Sequence, residues 1–286
     1  MNFEIKQLPA GLYFVATPIG NARDITLRAL DILASADVLA AEDTRSLRHL
    51  MEIHGIPLAG RHIIAYHDHN GASARPRLLG LMAQGKSLAY ASEAGTPLVA
   101  DPGFVLGRDA IAADIPVTSA PGPSAVIAAL SISGLPTDRF LFAGFPPSTA
   151  GARRRMFDEL APLRATLAFY ESPKRVNRTL TELADTFGAN RPAVICRELT
   201  KRFEEVRRGT LASLAEDLAG VALKGEVVML VGYAEAAAPQ EEDVEAALAA
   251  ALTSSSVKDA AAEVAAKYGL KKRDVYQMAL ARAEKD

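Results

Sequence analysis

The sequence predicts an α/β protein that consists of two α/β domains followed by a small all-α extension. Strand-like apolar runs alternate with segments of helical spacing from residue 12 onward, and such alternation is typical of α/β folds. Two segments with the composition of linkers, 140–155 and 234–243, interrupt this alternation. The 286 residues are 49% hydrophobic and 23% charged, a globular composition with enough apolar material for a sizeable core.

The first alternating set predicts an N-terminal α/β domain over residues 1–140. Several of its strand-like runs are apolar on both faces, as expected of a sheet that helices cover on both sides. We therefore expect a largely parallel sheet in this domain. The predicted strands are 12–17, 38–42, 62–66, 87–92 and 115–120.

The second alternating set predicts another α/β domain over residues 145–235. Strand-like runs occur in ATLAFYES, PAVICREL and EVVMLVGYA. Helical spacing between these runs predicts one helix from about 174 to 187 and another from about 211 to 218.

The C-terminal segment, residues 240–286, predicts a helical extension. Its three short helices are expected over 241–252, 256–268 and 271–283, and the turn between the last two has helix-turn-helix spacing. The pattern leaves open whether this extension contacts nucleic acid or is only an accessory bundle.

Charge and composition restrict the class of protein. The formal net charge is −2, so binding of nucleic acid would need a local basic patch rather than a global field. The one cysteine, Cys196, lies in an apolar run and cannot form an internal disulfide, which fits a reducing compartment. No apolar stretch approaches the roughly 18 residues of a membrane span, and the start lacks the layout of a signal peptide. We expect a cytoplasmic protein with no membrane partner.

Two familiar nucleotide motifs and one metal motif can be assessed from context. The dinucleotide fingerprint G-x-G-x-x-G is absent, and GLMAQGKS (80–87) matches the phosphate-loop pattern but follows a helix and precedes a strand, the reverse of the required order. His67, Asp68 and His69 could hold a metal, but adjacent residues of an extended stretch point in different directions and no third ligand is evident. We expect no metal site and favour a polar loop at a strand end.

Four loops rich in glycine, proline or carboxylates follow predicted strands of the first domain. In an open parallel sheet the carboxyl ends of the strands line one crevice, where ligands bind. Tight turns alone remain the alternative, but four such loops at one edge favour a binding site. Ser124 is placed to cap the helix that follows the last loop. The loops are VATPIGNARDIT (15–26), AAEDTR (40–45), ASEAGTP (91–97) and SAPGPSAV (119–126).

These motifs, in their order along the chain, resemble the tetrapyrrole methylase superfamily. The resemblance covers about residues 11 to 234 and rests on VATPIGNARDITLRAL, AEDTR, SEAGTPLVADPG, PGPSAVIAALSISGLP, FYESPKR, RELTK and KGEVVMLV. More narrowly, the chain is similar to the bacterial branch that methylates cytidine 2′-oxygens in 16S ribosomal RNA. The resemblance implies S-adenosylmethionine in a cleft between the two α/β domains, a homodimer, and 16S rRNA within the small ribosomal subunit as partner.

The resemblance also implies which residues contact the cofactor. This chain has Glu93 where that branch carries an aspartate in Ser-Asp-Ala-Gly-Thr-Pro, which keeps the charge and adds one methylene. The implied cofactor contacts are Thr17, Pro18, Glu93, Ala94, Gly95, Thr96, Pro97, Ser124, Ala125, Tyr170, Lys224, Gly225 and Glu226.

Transfer of a methyl group from a sulfonium to a ribose hydroxyl needs a group that takes up the hydroxyl proton. Three motifs pair a carboxylate with a cation at a strand end, and ion pairs between the domains are the alternative role for all of them. We favour the first motif because it lies beside the proposed cofactor loops. The candidates are Glu42, Asp43 and Arg45, then Glu171, Lys174 and Arg175, then Arg197, Glu198 and Lys201.

Two local basic clusters with aromatic neighbours, 152–157 and 201–209, predict RNA contacts, although solvated helix faces are an equal alternative. The candidates are Arg153, Arg154, Arg155, Arg175, Lys201 and Arg202. A tetrapyrrole C-methyltransferase of the same superfamily and a non-enzymatic RNA-binding module are the rival hypotheses. The helical extension and the arginine cluster argue against the first, and the four loops at one sheet edge argue against the second.

Overall fold

The computed structural model describes residues 3–67, 70–101, 103–233 and 241–283. The chain divides into two compact units, Met1–Tyr233 and Ala234–Asp286. The first unit contains both predicted α/β regions and the second contains the helical extension. Within the described residues, no helix combines the length and the apolar character that a membrane crossing requires.

The first sheet has five parallel strands in the order β3-β2-β4-β1-β5. The predicted strands and the parallel arrangement are therefore confirmed, with ends that differ by up to two residues. The strands are β1 (Gly11–Val15), β2 (Val38–Ala41), β3 (Ile63–Ala65), β4 (Ser87–Ala91) and β5 (Val117–Ala120). The accompanying helices are α1 (Leu27–Ser35), α2 (Thr44–Ile53), α3 (Gly71–Ala83), α4 (Phe104–Ala112) and α5 (Ala125–Ser133).

Strand β4 shows why this sheet forms. All five of its residues are buried, because helices cover both faces of a parallel sheet. Leu88 and Tyr90 join the apolar core on one face, whereas Ala89 and Ala91 join the core on the other. The alternation places all apolar side chains of the strand in one core or the other.

The second sheet also has five strands, in the order β6-β7-β10-β8-β9, but only β6 and β7 are parallel. The second α/β region is thus confirmed in its helices, whereas its sheet is mixed and mostly antiparallel. The strands are β6 (Phe140–Phe142), β7 (Thr166–Glu171), β8 (Pro192–Arg197), β9 (Glu205–Thr210) and β10 (Val227–Val231). The helices are α6 (Ala150–Leu160), α7 (Val176–Phe187) and α8 (Leu211–Asp217).

The interpretation of residues 140–155 as a linker is wrong. The segment contains β6, which pairs with β7, and the first half of α6. Helix α6 packs through Phe157, which is fully buried in the core of the second sheet. The prolines and Gly144 lie in the turn between strand and helix, whereas Gly151 lies within α6. The composition of the segment therefore did not reveal its strand and helix.

The second unit has three helices around a core of its own, as predicted. They are α9 (Glu241–Leu252), α10 (Val257–Tyr268) and α11 (Lys272–Ala283). The hydroxyl of Ser256 caps the start of α10, and Gly269, with φ +66°, ends it in the left-handed conformation that favours glycine. Most of the predicted linker before α9 lies outside the described residues.

Candidate active site

A cleft of about 730 Å³ lies between the carboxyl edge of the first sheet and one edge of the second. The loops after β1, β2, β4 and β5 form its first wall, which is the edge predicted from the sequence. The ends of β7 and β8 and the start of β10 form the second wall. Apolar side chains that line it include Ile19, Leu47, Phe145, Cys196, Leu199 and Val228.

The loops after β1 and β4 are tied together by backbone hydrogen bonds. The N–H of Thr17 donates to the carbonyl of Gly95 at 2.9 Å, and the N–H of Gly95 donates back at 3.0 Å. The Thr17 hydroxyl donates to the carbonyl of Ser92, and the Ser92 hydroxyl donates to that of Gly95. Gly95 has φ +80°, and a Cβ there would lie 3.3 Å from Ile19 Cγ2. A side chain at this position would therefore be strained and crowded.

The loop after β5 is fixed against the same wall. The Thr96 hydroxyl donates to the carbonyl of Pro123 at 2.8 Å, and a Cβ on Gly122 would lie only 2.8 Å from the Cβ of Ala16. Ser124 stands at the N-cap position of α5, but its side chain makes no capping hydrogen bond. The prediction that Ser124 caps this helix is wrong in that respect, and Ser124 lines the cleft instead.

Ion pairs hold the second wall of the cleft together. Lys201 Nζ lies 3.0 Å from a Glu198 oxygen and 2.9 Å from a Glu226 oxygen, and the Glu226 N–H donates to Glu198. Gly225 has φ +88°, and a Cβ on it would overlap the Glu198 carboxyl group. The turn after β8 and the turn before β10 are thus joined into one rigid rim.

The two walls also meet directly at this rim. A Cβ on Gly20 would lie 2.5 Å from Lys201 Cγ, so the chain after β1 can pass this close only as glycine. The N–H of Asn21 donates to the Thr200 hydroxyl at 3.1 Å. The two sheets are therefore packed against each other at the edge of the cleft.

The structure brings together most of the residues predicted to contact a cofactor. Pro97 and Lys224 are the exceptions, since neither lines the cleft, although each is next in sequence to a residue that does. The lining residues among those predicted are Thr17, Pro18, Glu93, Ala94, Gly95, Thr96, Ser124, Ala125, Tyr170, Gly225 and Glu226. The apolar lining residues were not predicted, because an isolated leucine or valine carries no ligand signal in a sequence.

Glu42 is the carboxylate of the AEDTR motif that faces the cleft. Its N–H extends the pairing of β2 with β4 by donating to Ala91, and its Oε2 accepts a hydrogen bond from the N–H of Glu93 at 3.2 Å. Partial burial raises the pKa of Glu42, and the negative charges of Asp101 and Glu93 raise it further, against the lowering effect of the Glu93 N–H. A carboxylate of raised basicity thus stands in the cleft, as general-base chemistry requires.

The structure does not place Asp43 or Arg45 in the cleft. Asp43 is the N-cap of α2 and accepts hydrogen bonds from the N–H groups of Arg45 and Ser46. The Arg45 guanidinium, followed by these N–H groups, lowers the pKa of Asp43 to about 2. The Arg45 side chain is 91% exposed. We therefore do not retain Asp43 and Arg45 as catalytic residues, because Asp43 caps helix α2 and Arg45 forms an ion pair with Asp43.

The prediction of Glu171 and Lys174 as catalytic residues also needs correction. The buried carboxylate of Glu171 accepts hydrogen bonds from the Ser172 N–H and the Thr179 hydroxyl, both at 2.7 Å, and lies 3.2 Å from Arg175 Nε. Lys174 is exposed and does not line the cleft. Glu171 does line the cleft, but its oxygens are engaged because it organises the turn between β7 and α7.

The arginines predicted to contact RNA differ in their surroundings. Arg153 is only 1% exposed, forms a hydrogen-bonded ion pair with Glu182, and donates to the carbonyls of Pro147 and Ser148. Its prediction as an RNA contact is wrong, since it faces inward on α6. Arg154 and Arg155 are exposed on the same helix.

The cluster over 201–209 is mainly structural rather than a helix face. Arg207 pairs with Glu205, and the Arg208 guanidinium donates to the carbonyls of Ile132 and Ser133 at the end of α5. Arg202 remains exposed and lies 5.4 Å from the ring centre of Phe203.

Asp101, which follows β4 in the motif SEAGTPLVADPG, was not among the predicted site residues. Its Oδ1 accepts hydrogen bonds from the Tyr90 hydroxyl at 2.9 Å and from the Gly103 N–H at 2.7 Å. Only the fold shows that Asp101 lies close to Glu42. Among the described residues, no group of three or more His, Cys, Asp or Glu could hold a metal; Asp68 and His69 lie outside that set.

Comparison with known proteins identifies the family. Residues 11–215 match the family model of tetrapyrrole (corrin/porphyrin) methylases, and residues 238–283 match that of the RsmI C-terminal HTH domain. A protein of Mesorhizobium japonicum named ribosomal RNA small subunit methyltransferase I is 46% identical over 276 residues, which cover 96% of this chain and 93% of that protein. A protein of Vibrio cholerae with the same name is 43% identical and covers 96% and 97% of the two chains.

Solved structures show the same fold at lower identity. Diphthine synthase superposes with a TM-score of 0.62 at 18% identity and covers 78% of this chain and 89% of its own. Uroporphyrin-III-C-methyltransferase from Thermus thermophilus gives 0.56 at 24%, with 78% and 94% covered. The resemblance found in the motifs is thus confirmed, and the chain belongs to the tetrapyrrole (corrin/porphyrin) methylase family.

Proposed function

We propose that this protein is a cytoplasmic methyltransferase that moves a methyl group from S-adenosylmethionine to the ribose 2′-oxygen of a cytidine in 16S rRNA, within the small ribosomal subunit. The observation that carries the proposal is the cleft between the two sheets, in a chain whose full-length relatives are named ribosomal RNA small subunit methyltransferases. The tetrapyrrole alternative has no such support among those relatives.

The cleft suits the proposed cofactor in size and chemistry. Its volume of about 730 Å³ lies within the range of roughly 300–1,000 Å³ that is usual for cofactor sites. Leu199 and Val228 offer apolar surface to a purine, and the backbone of the 93–97 loop offers fixed hydrogen-bonding groups. When bound, S-adenosylmethionine supplies a methyl group on a positively charged sulfur, which the carboxylate of Glu93 would favour.

The residues of this chain would then act mainly by positioning. The hydrogen-bonded pair of loops around Thr17 and Gly95 holds one side of the cofactor, and Tyr170 and Glu226 of the second sheet close the other. Alignment of the reacting groups can supply roughly 7–11 kcal/mol of the barrier. Glu42 takes the proton of the ribose hydroxyl as general base, a contribution of about 10²–10⁴-fold.

The RNA is proposed to approach over the exposed basic side chains. Arg154, Arg155 and Arg202 are exposed, and such side chains can neutralise phosphates. Arg175 and Lys201 are partly buried and paired, so we assign them to the cleft structure. A particle such as the small subunit supplies shape as well as charge, which offsets the net negative charge of the enzyme.

We also propose a homodimer. Helix α4 exposes Phe104 and Ile111, which are 60% and 65% accessible and lie seven residues apart on one helical face. Exposed apolar side chains in such an arrangement are typical of a protein interface. Sedimentation of the purified protein tests this assembly directly.

A labelling experiment tests the proposed activity. Radiolabelled S-adenosylmethionine is offered with purified small subunits, with free 16S rRNA and with a tetrapyrrole precursor, each with wild-type enzyme and with Glu42→Gln. We expect label in the small subunits, at a cytidine whose ribose resists alkaline cleavage because its 2′-oxygen is blocked. Label in the tetrapyrrole, or none in any RNA, would contradict the proposal.

A further inference from the structure

Asp101 occupies an unusual position behind the cleft. It follows Leu98 and Ala100, which have φ values of +72° and +57°, in the left-handed region that is strained for residues other than glycine. Such a backbone conformation persists only where the surrounding contacts hold it in place. The loop therefore delivers the Asp101 carboxyl group to a fixed place.

Only one of the two carboxylate oxygens of Asp101 accepts hydrogen bonds from the residues described. Its Oδ1 accepts from the Tyr90 hydroxyl and the Gly103 N–H, whereas its Oδ2 is buried and has no hydrogen-bond partner in the described part of the chain. The Tyr90 ring is fully buried and packs edge-on against Phe14 and Tyr66, with centroids 5.8 Å away in both cases. The Tyr90 hydroxyl that donates to Oδ1 is thus held in place by packing, and this hydrogen bond fixes the orientation of Oδ2.

A buried oxygen without a hydrogen bond is destabilising, and a catalytic role is one reason why a native structure retains such a group. In the register of β2 with β4, Ala40 lies beside Tyr90, so the side chain of Glu42, two residues on, faces the same side of the sheet as the Tyr90 ring that holds Asp101. The charge of Asp101, and the hydrogen bond that it can accept from a protonated Glu42, raise the pKa of Glu42. Two ionised carboxylates cannot donate to each other, so the hydrogen bond between them exists only when one carries a proton.

We propose that Asp101 is a positioning residue for proton transfer, whose Oδ2 accepts the hydrogen bond of the Glu42 carboxyl group after Glu42 has taken the proton of the acceptor hydroxyl. This inference rests on the proposed function. As the bond between the ribose oxygen and the methyl carbon forms, the carbon–sulfur bond breaks and its electron pair goes to sulfur, which becomes a neutral thioether. The hydroxyl proton goes to Glu42, and Asp101 stabilises the product state.

The charged groups around Glu42 determine how this pair responds to pH. Asp101 and Glu93 face Glu42 with negative charge, and Tyr90 lies close to both Glu42 and Asp101. Arg45 of α2 pairs with Asp43 and also interacts by charge with Glu93. His49 lines the same cleft. Since the charge of Asp101 raises the pKa of Glu42, its removal lowers that pKa and makes Glu42 a weaker base.

The first test compares Asp101→Asn, Glu42→Gln and the double variant across pH 5–9, with small subunits as substrate. We expect Asp101→Asn to lower kcat about tenfold, by weakening the base, to shift the acidic limb of the rate profile to lower pH, and to leave the KM for S-adenosylmethionine within about twofold. The double variant should be no slower than Glu42→Gln, because the two residues act as one unit. Asp114→Asn, an exposed carboxylate in the turn between α4 and β5, is the matched control and should leave the profile unchanged.

An acidic limb that does not move in Asp101→Asn would overturn the proposal, as would losses that multiply in the double variant. A second measurement does not depend on the acceptor. Carbon-13 NMR of labelled carboxyl groups follows the titration of Glu42, assigned by the signal that Glu42→Gln removes. We expect Glu42 to titrate at lower pH in Asp101→Asn than in wild type or Asp114→Asn.

If Glu42 titrates at the same pH in Asp101→Asn as in wild type, the proposed interaction between Glu42 and Asp101 is refuted, whether or not RNA is methylated. Conversely, wild-type enzyme that labels no RNA but shows the shifted titration would refute the proposed acceptor and leave the pair in place. The two failures are therefore distinguishable.

Discussion

The two walls of the cleft are held together by different interactions. In the wall from the first sheet, backbone and hydroxyl groups make the ties, as between Thr17 and Gly95. In the wall from the second sheet, ion pairs make them, as between Lys201 and Glu198. The carboxylates of the second wall are occupied by structure, whereas Glu42 of the first wall has no ion-pair partner among the described residues. This difference supports the proposal that the chemistry takes place on the first wall.

The largest expected effect separates the carboxylates of the two walls. Glu42→Gln should lower kcat about 10²–10⁴-fold, the usual contribution of a general base, while calorimetry shows unchanged affinity for S-adenosylmethionine. Glu171→Gln should instead lower the free energy of unfolding by about 1–3 kcal/mol, because the buried partners of this carboxylate lose a charged acceptor. Urea denaturation and initial rates on both variants provide the measurement. A similar loss of kcat in both would remove the distinction between the walls.

The same difference explains how much the sequence could predict. The first sheet was predictable because its strands are buried on both faces and read as apolar runs, and because parallel strands bring their following loops to one edge. That rule places the AEDTR motif, which contains Glu42, at this edge. In the second sheet, β9 carries charged residues along much of its length, since it is an edge strand, and its sequence EVRRGT shows no apolar alternation.

What the sequence could not provide is the pairing of charges. The run GARRRMF contains three consecutive arginines, but only the contacts of Arg153 with Glu182 and with the carbonyl of Pro147 show that Arg153 faces inward. Asp43 and Glu42 are adjacent, yet one caps a helix and the other faces a cleft, because successive residues at the end of a strand point in different directions. Such differences depend on tertiary contacts that no local pattern records.

A medium-sized effect distinguishes the arginines of α6. Arg153→Ala should lower the free energy of unfolding by about 2–3 kcal/mol, somewhat less than a fully buried pair would cost because Glu182 is 29% exposed. Arg154→Ala, its neighbour on the exposed face, should change stability by no more than about 0.5 kcal/mol and raise the KM for small subunits. Thermal denaturation and steady-state kinetics test both expectations. A stable Arg153→Ala enzyme with a raised KM would restore Arg153 as an RNA contact.

The smallest effect concerns the adjacent carboxylates Glu42 and Asp43, whose pKa shifts have opposite signs. The pKa of Glu42 is raised in the folded protein, so its ionisation disfavours the folded state as the pH rises through its unfolded value. Glu42→Gln should therefore be slightly more stable than wild type near pH 7, and this advantage should vanish in acid. Such a gain on loss of a catalytic group is a common trade-off between stability and activity.

Asp43 should behave in the opposite way. Its pKa falls from 3.8 to about 2 on folding, so its stabilising contribution is present above pH 4 and is lost as the pH falls toward 2. Asp43→Ala should cost about 1 kcal/mol at pH 7 through the lost helix cap, whereas Asp43→Asn, which keeps a capping oxygen, should lose only the part that depends on charge. Urea denaturation between pH 3 and pH 8 measures all three variants. If Glu42→Gln were less stable than wild type at pH 7, the Glu42 carboxylate would stabilise the fold by accepting the hydrogen bond of the Glu93 N–H. Its assignment as general base would then rest only on its exposure to the cleft.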